Sequence, residues 1–356
     1  MPESELQTSP RVLELLRFAV PWDAAVAIVG QELDGLGMRQ VTPLVPTGRA
    51  LAGLSDEDAV ERVDALRADG CEFLIVGASA FTWLGERPRL GDRLETRYRL
   101  AARDPDAGAV FALHERPAQP GADGLPLPPA DMIRMTSGLY RHASDAGVLY
   151  RRYEEGGAKS AAFIREFLGR AGVDMSGVDA LLDFGCGCGR VVRHWAGLPG
   201  EVRGSDYNPN LVRWCADNLP FAQFDVNEGE PPLPYADDSF DFLYSISIFT
   251  HLDEPLQRPW MDELVRVVRP GGLILITVSG EVFARRLPGW EHLRERFETG
   301  RLVVRRPERT GSNSCSVLHP REYLDTLIAG LELVALEPGV RPAGWQDAVL
   351  LRTPER

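Results

Sequence analysis

The sequence predicts an α/β protein of two domains, the larger a doubly wound, mainly parallel sheet. Three observations carry that expectation. Short apolar runs alternate with amphipathic helical stretches along most of the chain. A proline- and glycine-rich stretch interrupts the alternation between residues 115 and 131. A glycine turn, LLDFGCGCGR, follows directly on one of the apolar runs. The last two apolar runs have no helix between them, so they are expected to pair antiparallel at the sheet edge.

The totals bound the rest. The chain has 356 residues, 44% hydrophobic and 26% charged, ordinary for a globular protein and enough for two cores. No stretch approaches the roughly 18 apolar residues of a membrane-spanning helix, so no membrane partner is expected. The N-terminus MPESELQTSP has neither the basic start nor the apolar run of a secretory signal. Cys71, Cys186, Cys188, Cys215 and Cys315 are scattered and odd in number, which suits reduced thiols in a cytoplasmic protein better than a disulfide framework. The formal net charge of −13 weighs against a nucleic-acid partner, which requires a basic surface.

The elements follow in order. The first domain, over residues 1–115, reads as buried strands at 24–30, 71–79 and 108–115. A helix at 55–70 has Ser55 as its N-cap and Gly70 as its stop. The alternation implies a small parallel sheet, and no glycine-rich phosphate loop follows any of its strands. Residues 116–131 read as a linker, because the stretch 115–131 holds five prolines and two glycines and cannot sustain helix or ladder. The second domain, over residues 132–356, opens with a helix at 160–172 and a strand at 180–184. Then come helix 189–198, strand 202–206, helix 209–218, strands 221–226 and 240–247, helix 255–268 and strand 272–278. An irregular insertion, 280–319, precedes helix 320–329 and strands 331–337 and 347–352; such insertions often form substrate lids.

Three readings compete for the glycine turn. Cys186 and Cys188 lack a second pair at zinc-ribbon spacing, so no metal is expected and both thiols read as small side chains in a tight turn. A dinucleotide fingerprint requires glycine at position 190, where Arg190 stands. What remains, Asp183-x-Gly185-x-Gly187-x-Gly189, closes a turn directly after a strand and lets backbone approach a ligand closely.

That pattern resembles motif I of the class I S-adenosylmethionine-dependent methyltransferases, and further motifs follow in the family's order. Asp206 ends the next strand, where a carboxylate can accept from both ribose hydroxyls. Asp225 ends the third strand, the family's place for an acid on the adenine amino group, with the Val226 backbone beside the ring. The segment DDSFDFLYSIS (237–247) is similar to the family's fourth strand, and RPGG (269–272) to the turn opening the fifth.

The resemblance implies a seven-stranded Rossmann-like domain with an antiparallel last strand, preceded by the smaller α/β domain. It implies S-adenosyl-L-methionine as cofactor and S-adenosyl-L-homocysteine as product. The cofactor set it points to is Asp183, Gly185, Cys186, Gly187, Gly189, Asp206, Tyr207, Asp225, Val226 and Ser245. The segments PPLPY (231–235), SISIFTHL (245–252) and WQDAVLLR (345–352) together are similar to a bacterial subgroup found beside glycosyltransferases and polysaccharide-synthesis enzymes. The N-terminal domain is similar to an accessory module of glycosyltransferase-associated proteins.

The implied activity is O-methylation of a small-molecule or glycan-related acceptor. The alternatives are N-methylation, a natural-product acceptor without sugar, and a protein that binds the cofactor without turnover. Neither the Asn/Asp-Pro-Pro-aromatic motif nor the Pro-Cys motif of nucleic-acid methylases follows the fourth strand. His251, on the loop after that strand, is the candidate general base, against a role in ordering the loop. Tyr140, Arg141, Tyr150 and Arg151 precede the first strand, where an arginine could pair with the cofactor's carboxylate or simply be solvated. Arg190 and Arg193 read as solvated helix charges, and Trp290 and His292 lie in the insertion.

Overall fold

The computed structural model describes residues 10–21, 24–30, 40–43, 54–114, 120–136, 146–307, 310–311, 315–340 and 344–355. Tyr140 and Arg141 lie outside them. The chain forms two compact units, Met1–Gln119 with Leu127–Ala146, and Pro120–Pro126 with Gly147–Arg356.

The first unit contains α1 (Pro10–Ala19), β1 (Ala25–Val29), β2 (Gln40–Pro43), α2 (Asp56–Ala68) and β3 (Phe73–Gly77). It continues with α3 (Phe81–Gly85), α4 (Pro88–Arg97), β4 (Arg99–Asp104), β5 (Gly108–Ala112) and α5 (Ala130–Thr136). Ser55 caps α2, its hydroxyl accepting from Asp58 N at 3.1 Å. Strand alternation supplies two apolar faces. Val26, Ile28, Phe73 and Ile75 pack with Val12 and Leu16 of α1. Ala27, Val29, Leu74 and Val76 pack with Val63, Leu90 and Leu94.

The sheet order is β2-β1-β3-β5-β4, and the expected all-parallel sheet is corrected. β1 is parallel to β2 and β3, but β5 is antiparallel to both β3 and β4. The reason is a tight turn: Asp104 Oδ1 accepts from Asp106 N and Ala107 N, both at 2.8 Å. The chain therefore returns beside β4 at once, with no crossover helix.

The boundary expected at residue 132 is also corrected. It falls inside α5, which belongs to the first unit: Met132 and Ile133 are buried there, and Asp131 and Arg134 pair with Arg99 and Glu72. Residues 120–126 of the expected linker belong to the second unit.

The second unit begins with α6 (Ala146–Arg170), then β6 (Ala180–Phe184), β7 (Glu201–Asp206), α7 (Pro209–Asn218), β8 (Gln223–Val226) and β9 (Phe240–Ser245). After these come α8 (Glu254–Val267), β10 (Val268–Val278), α9 (Glu281–Ala284), α10 (Trp290–Glu298), β11 (Val303–Arg305), β12 (Ser316–Leu318), α11 (Arg321–Leu327), β13 (Glu332–Val340) and β14 (Gln346–Arg352). Seven strands form one sheet, β13-β14-β10-β9-β6-β7-β8. Strands β6 to β10 run parallel, and β14 is antiparallel to both β10 and β13. The strand order reverses between β6 and β9, and ligands of such sheets bind at that reversal, beyond the carboxyl ends of the strands.

Both faces of this sheet are buried, which is why its strands read as continuous apolar runs. Leu181, Phe242, Tyr244, Leu275 and Leu350 face Ile164 and Phe167 of α6. Their neighbours Leu182, Leu243, Ile274, Ile276 and Leu351 face Trp260, Leu264 and Val267 of α8. The insertion is not irregular: α9, α10 and the β11–β12 hairpin gather around Ala284, Phe297, Val303 and Leu318. The helix expected at 189–198 is only a 3-10 turn, Val192–Trp195. Val191, Val192, Arg193 and Trp195 are all buried, so this stretch lacks the broad polar face that a surface helix turns toward water.

Two glycines of α6 differ in what surrounds them. A Cβ on Gly157 would lie 2.1 Å from Arg190 O, whereas one on Gly169 meets nothing within 4 Å. Urea unfolding should therefore show Gly157→Ala destabilised by about 2–3 kcal/mol and Gly169→Ala stabilised by about 0.5–1 kcal/mol. Equal effects would mean that α6 does not rest on the 190 backbone.

Candidate functional site

The polypeptide leaves β6 through a turn in which Gly185, Gly187 and Gly189 have φ of 82°, 56° and 79°. Each is left-handed, a conformation that costs other L-residues about 1–2 kcal/mol. Space is also tight: a Cβ on Gly185 would sit 2.1 Å from Ile248 Cδ1, and one on Gly189 2.6 Å from Leu219 Cδ1, so those side chains would have to move. Its three glycines contribute no side chains to brace it, and neighbouring backbone and side chains hold the turn. Gly185 N and Cys186 N donate to Ser205 O at 2.7 and 3.0 Å. Gly187 N donates to Asp206 Oδ2 at 2.9 Å. The thiols of Cys186 and Cys188 are buried, and burial and the Cys215 thiol beside it push the Cys186 thiol well above its ordinary range. A thiol so held in its protonated form is not the thiolate that nucleophilic or metal-binding chemistry needs. Among the described residues no group of three or more His, Cys, Asp or Glu side chains could hold a metal ion.

The other expected residues end the neighbouring strands. In register, Asp183 stands opposite Tyr244, Ser205 opposite Asp225 and Asp206 opposite Val226. Asp206 is 7% exposed, and its second oxygen accepts from Asn208 N at 2.9 Å. Burial raises its pKa to about 6 against the pull of these two amides. Asp225 is more open, with Tyr235 Oη donating to it at 3.1 Å and Arg203 Nη1 at 3.3 Å. Beside it Val226 is 46% exposed. Tyr207 follows Asp206, and Ser245 ends β9.

Asp183 sits deeper than the others. Tyr244 Oη donates to it at 2.6 Å and itself accepts from Trp195 Nε1 at 2.8 Å. Burial raises its pKa to about 7, opposed by the Tyr244 hydrogen bond and the charge of Arg190.

His251 ends a 3-10 turn, Phe249–His251. Its Nδ1 lies 2.6 Å from Cys315 O; the carbonyl can only accept, so Nδ1 carries the proton and Nε2 is the basic nitrogen. Its own carbonyl accepts from Gly311 N at 2.8 Å, and Asp253 N donates to Thr310 Oγ1 at 2.8 Å. The far end of the insertion thus grips the loop after β9.

Sequence reasoning missed the other support of that loop. Gln257 donates to Phe249 O and Leu252 O at 2.9 and 2.7 Å, which turns its carbonyl toward His319 Nε2 at 3.2 Å. His319 is 2% exposed, and burial drives its pKa to about 3, so it stays neutral. It lies 68 positions beyond His251 (319 − 251), with no local pattern to mark it. Arg193, expected to be solvated, is 1% exposed and paired with Asp123. Trp290 and His292 lie on α10, and the structure assigns them no partner among the expected cofactor residues.

With this geometry in place, residues 182–276 match a family described as "Methyltransferase domain". The chain is 33% identical over 111 residues to methyltransferase GfsG of Streptomyces halstedii, covering 29% of this chain and 39% of that protein. It is 31% identical over 183 residues to 2-methyl-6-phytyl-1,4-hydroquinone methyltransferase of Synechocystis sp., covering 46% and 56%. The matches thus span about two-fifths to just over half of those curated relatives. Among solved structures, the 1,6-didemethyltoxoflavin-N1-methyltransferase of Burkholderia thailandensis aligns with a TM-score of 0.41 at 18% identity, covering 57% of this chain and 80% of that one.

The cofactor of such domains is S-adenosylmethionine, and the residues present fit it. Ser245 Oγ is buried at the end of β9 with no hydrogen-bond partner among the described residues, a cost that a bound polar group would relieve. The glycines place bare backbone beside it, and Asp206 has lone pairs beyond the two that its amides use.

The pKa of Asp183 gives a sign to the pH dependence of stability. The unfolded chain releases this proton near pH ~4, whereas the folded protein holds it to about 7. Its contribution is therefore complete below pH ~4 and lost as pH rises through the folded value. Asp183→Asn, which keeps an acceptor for Tyr244, should match the parent at pH 4 and be more stable at pH 8 by on the order of 4 kcal/mol. Denaturant melts at the two pH values check this; an equal difference at both would place the titration elsewhere.

Proposed function

We propose that the chain is an S-adenosylmethionine-dependent methyltransferase acting on a hydroxyl of a small-molecule or glycan-related acceptor. The observation that carries this reading is the left-handed glycine turn after β6 whose Gly187 amide is held by Asp206 at the end of the adjacent strand. S-adenosylmethionine supplies an electrophilic methyl group on a sulfonium. The protein's task is then alignment and exclusion of water, from which most of the rate of such a displacement can come.

Each residue has a stated part in this reading. Asp206 accepts from the ribose hydroxyls, and its amide contacts keep the carboxylate aimed while it does so. Asp225 and the Val226 backbone flank the adenine. Ser245 Oγ and the bare backbone of Gly185 and Gly187 line the far end, with Tyr207 beside Asp206. His251, its Nδ1 proton held by Cys315 O, takes the acceptor's hydroxyl proton on Nε2. The insertion that holds His251 is the natural wall for the acceptor, and its own apolar cluster lets it vary without disturbing the sheet. The −13 charge and the absence of nucleic-acid methylase motifs favour a small molecule over a polynucleotide.

Calorimetry should detect binding of S-adenosylhomocysteine and none of NAD. Asp206→Ala should weaken the former by about 1–3 kcal/mol. An unchanged affinity would remove Asp206 from the ribose site. His251→Ala should cut turnover of a hydroxyl acceptor by ~10²–10⁴-fold, with little change in S-adenosylhomocysteine affinity. S-adenosylhomocysteine release from panels of sugars and amines would report the acceptor, and turnover of amines alone would overturn the O-methyl assignment.

A further inference from the structure

Residues 120–126 fold into a strap docked on the second unit. Gly121 N donates to Leu125 O at 2.9 Å, and Leu125 N to Asp123 Oδ1 at 3.0 Å. Ala122 N reaches Glu154 on α6 at 2.7 Å. The Arg193 guanidinium closes on this strap. Its Nε and Nη2 donate to the two Asp123 oxygens at 2.6 and 2.8 Å, and Nη2 also reaches Leu125 O and Pro126 O, both at 3.2 Å. Its remaining nitrogen, Nη1, points to Tyr153 Oη at 3.4 Å. Tyr153 is fully buried and donates onward to Cys188 O at 2.8 Å.

A continuous chain therefore runs from Asp123 through Arg193 and Tyr153 to a carbonyl in the middle of the glycine turn. Burial keeps the Tyr153 phenol protonated far above its ordinary range, so its proton is always there to give. The turn cannot supply this contact itself, because its glycines carry no side chains and the stretch after it never becomes a full helix. α6 reaches the same segment twice more, through Gly157 against Arg190 O and through Ser160 Oγ, 3.2 Å from Arg190 Nη1.

We propose that Tyr153 and Arg193 are positioning residues for the cofactor turn, and that Asp123, in the 120–126 strap, sets cofactor affinity through them. This rests on the reading of the glycine turn as the S-adenosylmethionine site. A buried ion pair that only stabilised the fold would lower the melting temperature and leave the affinity of the folded protein alone. A positioning chain changes affinity, and its members change it together rather than independently.

The test uses the full chain, S-adenosylhomocysteine as probe in calorimetry, and melting of the ligand-free protein. Tyr153→Phe, which keeps the ring and removes the donor, should raise the dissociation constant about tenfold, the effect of one hydrogen bond. Asp123→Asn should raise it by a similar factor, and Asp123→Glu should recover much of the loss. The double variant should be little weaker than Tyr153→Phe alone, because both act on one carbonyl. If Asp123→Asn does not fold, Tyr153→Phe decides. A Tyr153→Phe protein that binds as tightly as the parent, whatever its melting temperature, overturns the proposal. So do fully additive losses in the double variant. A parent chain that does not bind S-adenosylhomocysteine overturns the cofactor reading and this proposal with it, an outcome distinct from either of those.

Discussion

Everything at the carboxyl edge of the large sheet depends on one contact, the Gly187 amide donating to the buried Asp206 carboxylate. Backbone that turns left-handed at three glycines brings peptide groups close to a ligand, but at those positions it has no side chains with which to hold its shape. Asp206 supplies the missing brace from the next strand. Burying a carboxylate is costly, and burial raises its pKa to about 6 even with two amides donating to it. A polar ligand bringing further donors offsets that cost. The constraint that shapes the turn is therefore also what makes it receptive.

The rest of the unit can be read as support for that edge. The two apolar layers, with Ile164 and Phe167 on one face and Trp260 and Leu264 on the other, fix where the strands end. α6 and the 120–126 strap brace the turn after β6, whereas the insertion and the Gln257–His319 pair brace the loop after β9. Different parts of the chain thus hold the two loops at that edge. Long polar side chains do this where apolar packing cannot, because only hydrogen bonds place a backbone carbonyl to within a few tenths of an ångström. His319 suits this role: neutral by burial, it donates to Gln257 at any pH near neutrality.

Local chemistry was legible without coordinates. The alternation of apolar runs and amphipathic helices determined the sheet, its winding and its antiparallel last strand, because a strand buried on both faces leaves an unmistakable run of aliphatic residues. The spacing of Asp183, the three glycines, Asp206 and Asp225 determined which strand ends would meet, since parallel neighbours place their carboxyl ends side by side. Tertiary structure decided what depends on burial and on partners distant in sequence. Arg193 reads as a solvated charge until Asp123, 70 positions earlier, is seen to lie against it. The 192–195 stretch reads as helix until Val192, Arg193 and Trp195 are found inside. The β4–β5 hairpin turns on two hydrogen bonds from Asp104, too local a feature for hydrophobic periodicity to register. His319 has no sequence signature, because a lone histidine acquires meaning only from the packing that strips it of water.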